Sequence, residues 1–234
     1  PSGLLTSRRS PVAATVELPI VFILRLLLVL SLFPVLAAPV AAAPVVAVLG
    51  DSLSAAHGMD RDDSWVALLE DRMAAEGFPH EVVNASISGE TSRGGRDRVD
   101  GILADHEPAV LIVELGGNDG LRGQPLSALR ENLTTIVRRA RTAGARVLLV
   151  GVRLPPNYGA AYTEAFASVY AEVAADTGVT LVPRFLEGVA ERRQLMQNDG
   201  IHPTASAQPT MLENVWPELR PLLEETRDLP GQAP

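Results

Sequence analysis

The sequence predicts an α/β protein built on a parallel sheet covered on both faces. Three observations predict it. Short apolar runs alternate with longer stretches of helical periodicity from residue 44 to residue 223. The short runs are apolar throughout, as strands buried on both faces are. The segments between them are long enough to hold a crossover helix, which parallel neighbours require.

Residues 44–49 (PVVAVL) read as the first strand, β-branched and ending in Gly50-Asp51. Trp65, Leu68, Leu69 and Met73 recur at helical spacing, and Gly77 ends that helix. Residues 81–84 form the second strand and residues 109–115 (AVLIVEL) the third. Residues 126–143 form a helix with Leu126, Leu129, Leu133, Ile136 and Val137 on one face and Gly144 as its stop. Residues 146–150 are the fourth strand, 160–176 a helix closed by Gly178, and 179–182 the fifth strand. A last helix covers 205–223, with a bend expected at Pro217.

The two ends differ in composition. Arg8, Arg9 and Arg25 precede an apolar run from Leu26 to Leu36, and Ala/Pro/Val follow up to Ala43. Basic, apolar, then small residues is the order of a secretory signal, so residues 1–42 are expected to be cleaved after Ala42 and the protein to be periplasmic or secreted. The alternative is a retained membrane anchor, although the run after Arg25 is short for a bilayer. Residues 43–227 form the folded domain, and 228–234, polar and Pro/Gly-rich, a disordered tail.

Composition removes several chemistries. There is no cysteine, hence no disulfide, thiolate metal site or thiol nucleophile. All 20 basic residues are Arg, which excludes Schiff-base, P-loop and Ser-Lys chemistry. The four histidines show no helical metal-ligand spacing, and the net charge of −8 argues against a nucleic-acid partner. His57, His80 and His106 read as surface residues.

Right-handed crossovers put the C-terminal ends of all strands on one edge, where open α/β sheets bind ligands. Four polar clusters fall there: Gly50-Asp51-Ser52-Leu53-Ser54, residues 84–89 (NASISG), Gly116-Gly117-Asn118-Asp119, and Asp199-Gly200-Ile201-His202-Pro203. They hold a Ser, a His and an Asp, the parts of a nucleophile, a base and an orienting group. Asn and Gly add donors for an oxyanion. A Ser after Gly-Asp is also a common turn or helix cap, and an Asp three residues before a His a common helix start, so the weight lies in the ordered combination. The Gly-x-Ser-x-Gly elbow of ordinary α/β-hydrolases is absent.

These blocks resemble those of the SGNH (GDSL-type) hydrolase superfamily. Residues 84–95 (NASISGETSRGG), 113–123 (VELGGNDGLRG), 153–159 (RLPPNYG) and 199–209 (DGIHPTASAQP) look like the bacterial periplasmic acyl-CoA thioesterase I, protease I, lysophospholipase and arylesterase group. The resemblance covers about residues 44–225. It implies a three-layer α/β/α sandwich with a flavodoxin-like five-stranded parallel sheet in the order 2-1-3-4-5, and hydrolysis of esters and thioesters without metal or cofactor. It also implies that Ser52 is the nucleophile, His202 the general base and Asp199 its orienting group. The oxyanion hole would be the N–H groups of Ser52 and Gly89 and the Asn118 amide. The expected partner is a small acyl ester or thioester, taken by a monomer. One departure is Ala56, where that group usually has Gly.

Two other readings stay open: a carbohydrate O-deacetylase on the same fold, and a non-enzymatic flavodoxin-like binding module, against which Asp51 would repel a phosphate. Residues 120–123 and 154–159 carry Leu121, Leu154, Pro155, Pro156 and Tyr158 among few charges beside the expected site. Leu121, Pro155, Asn157 and Tyr158 are therefore expected to line an acyl pocket.

Overall fold

A computed structural model describes residues 42–229. The expected leader, apart from Ala42, and residues 230–234 of the expected tail lie outside the described residues. The strands are β1 (Val45–Gly50), β2 (Glu81–Asn84), β3 (Val110–Glu114), β4 (Arg146–Val150) and β5 (Thr180–Val182). They pair in parallel throughout, in the order β2-β1-β3-β4-β5. That is the flavodoxin-like order the resemblance implied. The helices are α1 (Trp65–Ala75), α2 (Ser92–His106), α3 (Gly117–Leu121), α4 (Leu126–Thr142), α5 (Ala160–Thr177) and α6 (Gln208–Thr226). α1 packs against α6, while α4 packs against both α2 and α5, and the sheet lies between the two groups.

Every residue of β3 is buried, as is β1 from Val46 onward, so the central strands are apolar on both faces. Helix ends follow local chemistry. The Ser64 side chain accepts from the Ala67 amide at 3.2 Å, capping α1. Gly178 closes α5 in the left-handed conformation, with φ 67°.

α2 has weak sequence signals. Gly94, Gly95 and Gly101 lower its propensity, and only Val99, Ile102 and Leu103 are apolar residues buried from it. It forms because Thr91 caps it and because the buried Asp119 carboxylate accepts from the Ser92 amide at 2.8 Å and the Ser92 hydroxyl at 2.6 Å. The expected last helix is a 3₁₀ turn, Ala205–Ala207, followed by α6, which runs on to Thr226. Pro217 and Pro221 stand inside α6 four residues apart, and both are exposed. The carbonyls they leave unpaired therefore face water.

His80 is a correction. Expected at the surface, it is 7 % exposed and packs near Phe78. Thr226 Oγ1 donates to the Leu222 carbonyl and so accepts from His80 Nε2–H at 2.9 Å, tying the start of β2 to the end of α6. Among the described residues, His80 Nδ1 has no hydrogen-bond partner. Burial lowers its pKa to about 4, helped by the nearby Arg227 charge.

Candidate active site

Sheet register assembles the site. Gly50 stands opposite Glu114 and Val48 opposite Asn84, so the chain leaves β1, β2 and β3 side by side at the C-terminal edge. The strand order reverses there, which opens a crevice beside β1.

After β1 the chain folds into a helical turn, with Ala55 N–H donating to the Asp51 carbonyl at 3.0 Å and His57 N–H to the Ser52 carbonyl at 3.4 Å. Asn84 Nδ2 braces it by donating to the Ser54 carbonyl at 2.8 Å. Ser52 rides on this turn half-buried. Its hydroxyl lies 3.0 Å from His202 Nε2. His202 Nδ1–H donates to Asp199 Oδ2 at 2.6 Å, and Asp199 Oδ1 accepts the Ile201 and His202 amides at 2.9 and 3.0 Å. The Nδ1–H bond selects the tautomer whose Nε2 lone pair faces the serine hydroxyl. Burial works to raise the Asp199 carboxyl, but the His202 ring and these amides outweigh it and hold the group well below the usual carboxylate range.

The His202 loop is braced from outside. Gln197 N–H donates to the His202 carbonyl at 2.7 Å, and Gln197 Nε2 bridges the carbonyls of His57 and Pro203. His57 is exposed as expected, but its ring lies against His202, with centroids 4.1 Å apart.

Asn118 stands in the first turn of α3. Gly116 precedes that turn at φ 117°, and a Cβ there would run into the Tyr170 hydroxyl and Leu129, so only glycine fits. Asn118 Nδ2 donates one hydrogen to Asp51 Oδ2 at 3.0 Å, leaving its second hydrogen for another acceptor. Gly89, at φ 81°, lies in the turn after β2, and Arg122 Nη2 anchors its carbonyl at 3.2 Å. Among the described residues, no acceptor takes the N–H of Ser52 or Gly89.

A cavity of about 680 Å³ opens beside Ser52 and His202. Leu121, Leu154, Pro155, Met196 and Ile201 are among its lining residues, together with Asn118. Of the four expected pocket residues, Leu121 and Pro155 line it, whereas Asn157 and Tyr158 do not. Tyr158 points its hydroxyl at the Leu121 carbonyl, 3.2 Å away, and so holds the α3 end of the wall. Among the described residues, His57, Asp199 and His202 bring ligand-type atoms within 4.8 Å of one another, but Asp199 and Ser52 already engage both ring nitrogens of His202.

The sequence reading did not single out two buried acids. One is Asp119, which holds the start of α2. The other is Glu114, which accepts from the Ser54 hydroxyl at 2.9 Å. A lone carboxylate closing an apolar strand was the visible signal of Glu114.

Fold and site together define an acyl hydrolase of the SGNH type. Residues 48–208 match the GDSL-like Lipase/Acylhydrolase family, and the chain belongs to that family. It is 56% identical to esterase TesA of Pseudomonas aeruginosa over 183 residues, covering 78% of this chain and 91% of that one. It is 44% identical to thioesterase 1/protease 1/lysophospholipase L1 of Escherichia coli over 183 residues, covering 78% and 86%. A crystal structure of TesA superposes with a TM-score of 0.75 at 55% identity, covering 76% of this chain and 99% of that one. The chain is an ester hydrolase.

Proposed function

We propose that this chain is a secreted serine esterase that cleaves carboxylic esters and thioesters carrying an apolar acyl chain, through an acyl-enzyme on Ser52. The observation that carries this reading is the unbroken line Asp199–His202–Ser52 opening onto a largely apolar cavity.

Ser52 Oγ attacks the acyl carbon as its proton passes to His202 Nε2. The carbonyl π electrons move onto oxygen, and the oxyanion takes hydrogen bonds from the Ser52 and Gly89 amides and from the free Asn118 hydrogen. The oxyanion collapses, the bond to the alcohol or thiol breaks, and the leaving group takes the proton from His202. Water then attacks the acyl carbon, giving its proton to His202. A second collapse returns that proton to Ser52 Oγ and frees the carboxylic acid. Asp199 stays ionised throughout and holds Nδ1–H.

A cavity of this size lies within the range of about 300–1,000 Å³ usual for small-molecule sites. Its apolar lining suits an alkyl chain better than an acetylated sugar. The names of the relatives widen the substrate class to acyl thioesters and lysophospholipids, and the resemblance adds aryl esters. All the reacting groups come from one chain, which is consistent with a monomer. Residues 43–227 would be the mature catalytic domain, released when 1–42 is removed. Among the described residues, no helix is long and apolar enough to cross a membrane.

The test is a panel of p-nitrophenyl esters, acyl-CoAs and lysophospholipids with the mature protein and Ser52→Ala. Turnover should vanish in the variant, and a fluorophosphonate should label Ser52 alone. Full turnover by Ser52→Ala, or labelling at Ser54 or Ser88, would overturn the assignment. N-terminal sequencing of exported protein should begin at Ala43.

A further inference from the structure

A carboxyl group with no solvent exposure closes β3, directly beside the turn that carries Ser52. Glu114 is 0 % exposed and Asp51 2 %. Glu114 Oε2 accepts from the Ser54 hydroxyl at 2.9 Å and from the Asp51 amide at 3.3 Å. Among the described residues, no donor reaches its Oε1. Asp51 is filled differently. Its Oδ1 accepts the Leu53 amide at 3.0 Å and its Oδ2 accepts Asn118 Nδ2 at 3.0 Å. The two buried carboxyl groups are close neighbours: Gly50, the residue before Asp51, stands opposite Glu114 in the sheet, and the Asp51 amide reaches Glu114 Oε2.

Two ionised carboxylates this close and out of water repel strongly, and neither has a hydrogen to give the other. Protonation of one of the pair relieves that repulsion. Asp51 has a donor on each oxygen and also faces the charge of His202 when that ring is protonated, so the ionised form is favoured there. Glu114 has one oxygen filled by donors and one with none, which is the pattern of a protonated acid. Titration follows the same order. Burial, then the Asp51 charge, pushes Glu114 well above the carboxylate range, while burial raises Asp51 only to about 6 against its donors.

We propose that Glu114 is a neutral acid whose Oε1–H donates to the Asp51 carboxylate, and that this pair positions the Ser52 turn and the Asn118 amide for ester hydrolysis. The inference rests on the roles of Ser52 and Asn118 proposed above. Glu114 touches no reacting atom; it is a positioning residue. It acts through two contacts. Its Oε2 gathers Ser54 and the Asp51 amide, and Ser54 Oγ in turn lies 3.3 Å from Trp65 Nε1 at the start of α1. Its proton keeps the pair at a single negative charge and the Asp51 carboxylate aimed. Asp51 then clamps one Asn118 hydrogen, which fixes the direction of the other, and clamps the Leu53 amide one residue past the nucleophile.

The test compares Glu114→Gln with Glu114→Leu in the mature protein. Gln presents an amide N–H where the acid presents O–H, and an oxygen where Oε2 accepts. Gln should keep kcat and KM close to the parent. Leu removes both contacts and should lower kcat by on the order of 10²-fold, with KM little changed and the fold retained by thermal melting. Infrared spectra at neutral pH should show a carboxylic-acid C=O band in the parent that Glu114→Gln lacks. That band can be read even where the Leu variant does not fold. A Gln variant as impaired as Leu, a Leu variant with parental kcat, or no acid band lost in Gln would each overturn the proposal. A fluorophosphonate that labels Ser52 in all variants would show that such a failure belongs to Glu114 and not to the nucleophile. Full activity in Ser52→Ala would instead remove the reading beneath it.

Discussion

His202 Nδ1 and Asp199 Oδ2 stand 2.6 Å apart across three residues of one loop. The carboxylate grips the ring and, at the same time, the two amides of the turn that carries the ring. Orientation of the proposed base is thus a local property of residues 199–202, and it needs no additional strand.

Asp199→Asn is expected to lower kcat by on the order of 10³-fold or more, because an amide can donate to Nδ1 and so favour the tautomer with the proton on Nε2. Steady-state kinetics on a short p-nitrophenyl ester reads this. The acid limb of the parent pH–rate profile should not be that of Asp199. Its folded pKa is depressed, so its charge and the stability it brings are present above the ordinary Asp value and are lost only below the assay range. A variant with parental kcat would leave Asp199 with a structural role alone.

Asn118→Ala should lower kcat by about 10²–10³-fold while leaving KM nearly unchanged, since in the reading proposed above Asn118 is an oxyanion donor, which acts in the transition state. Raised KM with parental kcat would make Asn118 a substrate-binding residue instead.

His80 predicts an acid-sensitive anchor between β2 and α6. Its folded pKa of about 4 lies below the ordinary His value, so the unfolded chain binds the extra proton first. The stability this buried neutral ring contributes is full above about pH 6.5 and falls away as pH drops toward its folded value. Asp51 and Glu114, with raised pKa values, work in the opposite direction. The contrast with His80→Gln, which keeps a donor for Thr226 without titrating there, isolates the effect. The melting temperature of the parent should fall more steeply than that of His80→Gln between neutrality and pH 4. Parallel curves would show that His80 does not titrate in this window.

Ala56 has φ 58°, in the left-handed region that glycine occupies freely. The resemblance placed a glycine there, and the structure supplies the reason. Ala56→Gly should relieve strain of about 1–2 kcal/mol and return part of it as unfolded-chain entropy. Differential scanning calorimetry should show a small rise in melting temperature. A fall would mean that the buried Ala56 methyl contributes more by packing than the strain removes.

The sheet was legible because β1 and β3 are apolar on both faces, and the order of the four polar blocks made the Ser52, Asn118, Asp199 and His202 cluster legible as well. α2 was not, because small residues such as Ser92 and Gly95 take much of its buried side and leave little hydrophobic periodicity. The burial of His80 was not legible either, since its partner Thr226 is 146 residues away. Glu114 stood in plain view inside AVLIVEL. Its meaning depended on the register that sets it opposite Gly50, and register between distant strands has no local sequence signal. Tyr158 differs for a related reason: it sits on the expected loop, but its hydroxyl donates to the Leu121 carbonyl in α3 and the residue is not among those lining the cavity.

Leu121 is where substrate choice becomes measurable. It ends α3, three residues after Asn118, so one short helix carries both the amide and a wall of the cavity. In the reading proposed above, an acyl chain whose carbonyl oxygen meets Asn118 would be directed along the surface that Leu121, Leu154 and Pro155 supply. Each methylene buried there contributes about 0.8 kcal/mol, nearly fourfold in binding. Catalytic efficiency in the parent should therefore climb along a series of p-nitrophenyl esters until the chain outgrows the cavity, then fall. Truncating Leu121 to Ala removes part of the wall, and the climb should flatten. An acetate ester has almost no chain to bury and should lose least. Were the profile of Leu121→Ala to follow the parent at every chain length in a folded protein, the chain would have to run elsewhere, and the wall formed by Met196 and Ile201 beside His202 would be the next surface to truncate.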